Sequence, residues 1–260
     1  MTGSPAELPV TPEGPEMNKD VSDSVGDPKA GAANRTEDVK TVQGLLNVQM
    51  VKDRLSGRFL AVDGRLGSQT LGAIGEFQRR HRLPQTGLIK RGDATIHALA
   101  SFSGPRSMRV GQAGLDLIEK QEGYSPTLYD RDGTAGNTTI GWGHEVHPGK
   151  INHSASEEKF KNGITRLQAE QLLRGDVSVT ENRINSRIRL PLTQNQFDAL
   201  ASLVFNIRAH FDRSTLLRLL DRGDYLGAAS HFKDFQNAHH KLVPGLPDRR
   251  RAEEELFLRR

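Results

Sequence analysis

Apolar residues recur at helical spacing along most of this chain, and strand-like alternation is confined to one short stretch. Val39, Val42, Leu45 and Leu46 fall on one helical face, and Thr70, Leu71, Ile74 and Phe77 mark a second helix. Leu83-Pro84 and Gly87-Leu88 interrupt the pattern, and Ala94 to Leu99 predicts a short third helix. Farther on, Leu115, Ile118 and Glu122 share a face at spacings of three and four, and Gly123 suits the left-handed residue that ends a helix. Thr127-Leu128-Tyr129 and Thr138 to Trp142 predict two strands joined by a polar, glycine-rich turn.

The rest predicts helices. Thr165-x-x-Gln168 is a capping box before Ala169, Leu172 and Leu173, while Val177, Ile184 and Ile188 suggest a following helix ended by Pro191. Thr193-x-x-Gln196 caps another helix, with Phe197, Leu200, Ala201 and Val204 facing inward. Helices are also expected over 214–220, 225–235 and 248–258. A small hairpin between helices gives an α+β layout.

The polar stretches divide the chain. Residues 1–33 are rich in Pro, Gly, Ser and acidic residues and predict a disordered leader. Residues 34–100 form a small all-α domain. Residues 101–107, Ser-Phe-Ser-Gly-Pro-Arg-Ser, form a linker, and a second domain runs over 108–260. The 260 residues can hold two domains, and the self-contained first module predicts that it can be removed without loss of chemistry in the second.

Charged residues make up 26% of the chain without a long apolar run, so neither a transmembrane helix nor stable membrane insertion is expected. The start lacks the basic and apolar regions of a secretory signal. Zero cysteines exclude disulfides and thiol chemistry. A net charge of +4 suggests an anionic partner, whether nucleic acid, lipid or wall polymer. Nucleic acid is the weakest of these, because basic and aromatic residues do not interleave.

Candidate chemistry sits at the helix–hairpin junction. An ionised carboxylate on an apolar face is costly, so Glu122 favours the protonated form of a general acid. Asp130, Asp132 and Thr139 lie on the hairpin that follows. An acid, a second carboxylate and a hydroxyl able to hold water suit glycoside hydrolysis.

Glu122-Gly123, Tyr129, Asp132 and Thr139-Ile140-Gly141-Trp142-Gly143-His144 resemble the phage-type lysozyme family. The resemblance extends through Leu190 to Leu200, Phe205-Asn206, Leu242 to Leu246 and Arg249-Arg250-Arg251-x-Glu253. It implies catalytic Glu122, Asp132 and Thr139. The family aspartate falls two residues after the tyrosine, where this chain has Arg131. Asp132 disturbs the flanking spacings least, and Asp130 is the reserve. Where the family carries a glycine-containing turn after Phe205-Asn206, this chain reads Ile207-Arg208-Ala209-His210, a departure that bears on substrate contacts rather than on the fold.

Asp63-Gly64-x-x-Gly67-x-x-Thr70, Phe77-Gln78, Leu83-Pro84 and Thr86-Gly87 resemble a three-helix peptidoglycan-binding module. Together the resemblances imply a lysozyme-like, endolysin-like muramidase that acts on bacterial peptidoglycan as a monomer without a cofactor. It would wait in the cytoplasm of the producing cell and reach the wall after release or export. A lytic transglycosylase and a wall-binding protein with a dead site are the alternatives. His144-Glu145-Val146-His147 has the wrong spacing for a zinc-binding helix and reads as a strand end and loop, so no metal is expected there, nor at His239-His240. Trp142 either lines the cleft or fills the core. Arg249-Arg250-Arg251 either meets wall polymers or forms a solvated helix start.

Overall fold

A computed structural model describes residues 17–104, 107–130, 136–238 and 241–259. Three helices make the N-terminal module: α1 (Thr36–Lys52), α2 (Ser68–Arg80) and α3 (Ala94–Leu99). The predicted apolar positions Val39, Val42, Leu45, Leu46, Ile74 and Phe77 all lie in its core. Buried Gln43 shapes the loop before α2, bonding Asp63, the Arg65 carbonyl and the Gly64 amide.

The expected leader is folded from Met17 onward, which corrects the sequence reading for that part; residues 1–16 lie outside the described residues. Val21 and Val25 enter the core. Strand β1 (Val25–Gly26) pairs antiparallel with β2 (Leu88–Ile89), Val25 opposite Ile89. Buried Asp38 accepts from the Ser22 and Asp23 amides and the Ser22 hydroxyl, which ties the segment to α1. The segment is thus ordered although many of its polar residues face solvent.

In the second unit, α4 (Gln112–Glu122) leads into an antiparallel sheet of β3 (Ser125–Asp130), β4 (Thr138–Gly141) and β5 (His144–His147), in that order. The stretch read as a strand end and loop is therefore a third strand. Gly141 and Gly143 turn the chain between β4 and β5 at φ of 67° and 83°, conformations that glycine adopts without strain.

Next come a short α5 (Ala155–Glu158) and α6 (Arg166–Arg187). The latter is one continuous helix where the pattern suggested two: Gly175 sits inside it without breaking it. Both predicted capping boxes form, at Thr165 and at Thr193. Helix α7 (Gln194–Ile207) is buried on nearly every side and forms the centre of the unit. A 3-10 turn leads to α8 (Thr215–Leu220) and α9 (Tyr225–Ser230), and a second 3-10 turn (Phe232–Phe235) ends the helix expected to reach Phe235. A two-residue hairpin, β6 (Asn237–Ala238) and β7 (Lys241–Leu242), precedes α10 (Leu246–Leu258), which starts two residues early with Pro247 in its first turn.

The two units share an interface, contrary to the independence that the linker predicted. Val48, Val51 and Phe59 of the first belong to the core of the second. Phe59 stacks on Tyr225 at 4.7 Å. Gly44 in α1 meets the turn after α8 backbone to backbone: a Cβ on Gly44 would sit 2.1 Å from the Arg222 carbonyl oxygen. Beside it, the buried Asn47 amide donates to the carbonyls of Leu60 and Gly223. Within the expected linker, Phe102 packs against both cores, and the Ser101 carbonyl accepts from Lys52.

Candidate active site

Glu122 is the last residue of α4, and its side chain is only 7% exposed. Leu115 and Ile118 on the same face are fully buried, and Gly123 follows at φ 70°. The apolar face read from the sequence is present, together with a partner that pattern did not reveal. Arg249 of α10 donates to Glu122 at 2.9 Å. The same guanidinium bonds Glu253 at 3.1 Å and the Ser202 carbonyl at 3.1 Å, and the Ser202 hydroxyl donates to Glu253 at 2.6 Å. Arg250, also buried, donates to Glu253 and to Asn206. Burial pushes the Glu253 carboxyl up and the Arg250 guanidinium down from their ordinary ranges, opposed by their mutual attraction. Arg249 and Arg250 are thus neither a wall contact nor a solvated helix start, which corrects both readings. They join α4, α7 and α10 behind Glu122. Glu253, three and four residues on, was the signal that could have shown it.

Register places the hairpin groups. Thr139 pairs with Tyr129 on β3 and with Glu145 on β5, so these three side chains share a face. The Thr139 hydroxyl donates to the Asn137 carbonyl at 2.8 Å, and the Asn137 amide donates to Glu145 at 2.6 Å. Asp130 pairs instead with Thr138, on the opposite face, and accepts from the Ile151 amide at 2.8 Å. Asp132 lies outside the described residues, between β3 and β4 in the sequence.

A cavity of about 350 Å³ lies between sheet and helices, lined by Gly143 and Glu145, by Asp176 and Arg183 of α6, and by Phe205 and Arg208. Asp176 meets His144 at 3.0 Å, and Arg183 meets Asp212 at 3.3 Å. His147 bonds Glu157 at 2.7 Å. Trp142 is 6% exposed and packs on Tyr124 in the core, so the cleft reading of Trp142 falls. His239 and His240 lie outside the described residues.

A buried acid at a helix end, beside a three-stranded sheet that faces a helical cleft, is the layout of a lysozyme-like hydrolase. Residues 119–253, over half of the chain, match the phage lysozyme family, and the chain belongs to it. Residues 35–99 match a peptidoglycan binding domain. The chain is accordingly a peptidoglycan hydrolase with an N-terminal helical binding domain and an α+β catalytic domain. Over 155 residues it is 39% identical to the endolysin of Acyrthosiphon pisum secondary endosymbiont phage 1, covering 58% of this chain and 98% of that protein. The endolysin of Salmonella phage P22 is 36% identical over 152 residues, covering 58% and 99%. Among solved structures, the muramidase domain of SpmX from Asticaccaulis excentricus superposes with a TM-score of 0.50 at 30% identity, covering 58% of this chain and 99% of that one.

Proposed function

We propose that this hydrolase is a muramidase that cleaves the β-1,4 bond between N-acetylmuramic acid and N-acetylglucosamine. Glu122 is the general acid and protonates the leaving glycosidic oxygen. Asp132 and Thr139 hold the water that adds to the sugar carbon, and the carboxylate of Asp132 takes the proton that this water releases. The observation that carries the reading is Glu122 itself, buried at the end of α4 and held in place by Arg249. The choice of Asp132 is supported by Asp130, which faces away from Thr139 and is already bonded to the Ile151 amide. Catalysis needs no metal or cofactor, because side chains make both proton transfers.

The wall-binding module takes in residues 17 to about 100, and the catalytic domain begins near Met108. The protein works as a monomer and acts on the wall after release or export from the cell that makes it. Glu122→Gln tests the assignment. It should fold normally and lose at least about 10²-fold in the release of reducing ends from purified peptidoglycan, the lower range for general acid catalysis. Near-normal release by the variant would remove Glu122 from the mechanism, and wild-type products with anhydro ends would make the enzyme a lytic transglycosylase instead.

A further inference from the structure

Arg208 follows α7 with φ 50° and ψ −119°. This is far from the left-handed helical basin near ψ +47°, and these are the angles of the first central position of a type II′ turn, where glycine dominates. Such strain persists only where the surroundings enforce it, and it clusters at functional sites. Here the surroundings are plain: the Arg208 amide donates back to the Val204 carbonyl, and Phe211, three residues on, is wholly buried.

The strained residue stands on the rim of the cavity beside Thr139's face of the sheet. The other charged groups lining that cavity are engaged: Asp176 with His144, Arg183 with Asp212, and Glu145 with the Asn137 amide. Among the described residues, no carboxylate lies within 4.0 Å of the exposed Arg208 guanidinium. The cleft therefore offers one uncommitted fork of donors. The sugars of the wall polymer are uncharged when the lactyl group of muramic acid is amide-linked, and the attached peptide carries carboxylates. A planar guanidinium matches a carboxylate with two parallel hydrogen bonds, which an ammonium cannot reproduce.

We propose that Arg208 is a specificity-determining residue that binds a carboxylate of the peptide carried by the glycan strand; this rests on the muramidase reading above. Arg208→Gly fits the observed φ without strain, and Arg208→Lys keeps the charge but loses the fork. Both are compared with wild type on soluble wall fragments and on the same fragments with peptide carboxyls converted to primary amides. On unmodified fragments Arg208→Gly should lose roughly tenfold to a hundredfold in kcat/KM, mostly through KM, as expected for a charge-assisted contact made in both ground and transition states. Arg208→Lys should fall between. Amidation should bring wild type down to the glycine variant and leave that variant unchanged. The proposal is overturned if Arg208→Gly matches wild type on unmodified fragments, or if it loses equally on both. In either case wild type still releases reducing ends; if it releases none from either fragment, the muramidase reading and this proposal fall together.

Discussion

Gly44→Ala tests the shared interface most sharply, because two effects of known sign compete. In an ordinary helix interior this substitution stabilises by roughly 0.5–1 kcal/mol. At Gly44 the new methyl would lie 2.1 Å from the Arg222 carbonyl oxygen, whereas carbon and oxygen in contact sit roughly 3.3 Å apart or more. Both atoms belong to backbone, so no side chain can swing away. The units must part, which strains the Asn47–Gly223 hydrogen bond, about 1 kcal/mol, and the Phe59–Tyr225 stack, about 0.5–1.5 kcal/mol. Overpacking of this kind costs about 1–3 kcal/mol, which outweighs a helix gain of roughly 0.5–1 kcal/mol, so the net effect is a loss on the order of 1 kcal/mol. Gly72 of α2 is the control: a Cβ there meets nothing within 4 Å. Thermal unfolding of the full chain should show Gly72→Ala at or above the wild-type midpoint and Gly44→Ala several degrees below it. Equal stabilisation by both substitutions would refute the interface.

Arg249→Met should cost on the order of 3 kcal/mol in urea unfolding, because it removes the buried cation that joins Glu122, Glu253 and the Ser202 carbonyl; a variant within about 1 kcal/mol of wild type would contradict the network. Asp132→Asn should cripple release of reducing ends from peptidoglycan, while Asp130→Asn stays mild because its remaining oxygen still accepts from Ile151; the reverse order would show the turn to be misaligned. The His147–Glu157 pair sets a pH window for stability. The Pro148 carbonyl and then Glu157 raise the His147 imidazole above its ordinary 6.5. The Asn152 amide and then His147 lower the Glu157 carboxyl below its ordinary 4.5. The contribution of the pair should be complete between about pH 4.5 and 6.5, fading as pH falls through the Glu157 value or rises through that of His147. His147→Asn should lower the melting temperature inside that window and remove the fading on either side of it, and an unchanged profile would rule the pair out.

Local signals were legible where one element carries them. The capping boxes at Thr165 and Thr193, the apolar face ending at Glu122 and the strand at Thr138 could all be read directly. Contacts between distant elements left only faint traces. Arg249 reaches Glu122 across 127 positions, and Asp38 holds Ser22 across 16, so neither shows in a local window. The segment after Met17 reads as polar, yet it is tied down by the bonds that Ser22 and Asp23 make to Asp38 of α1. No local pattern marks Gly44, because its reason is the backbone of Arg222 in the other unit.

The close seating of Gly44 against Arg222 also bears on where bonds are cut. A domain hung on a loose tether explores a volume, and its partner can reach many sites from one anchorage. Here the anchor and the blade are set like the two points of a pair of dividers. Once the first unit holds the wall, the second meets glycan at one fixed distance and heading. Each further cut outside that spot then requires the anchor to let go, so very tight wall binding would slow turnover rather than help it.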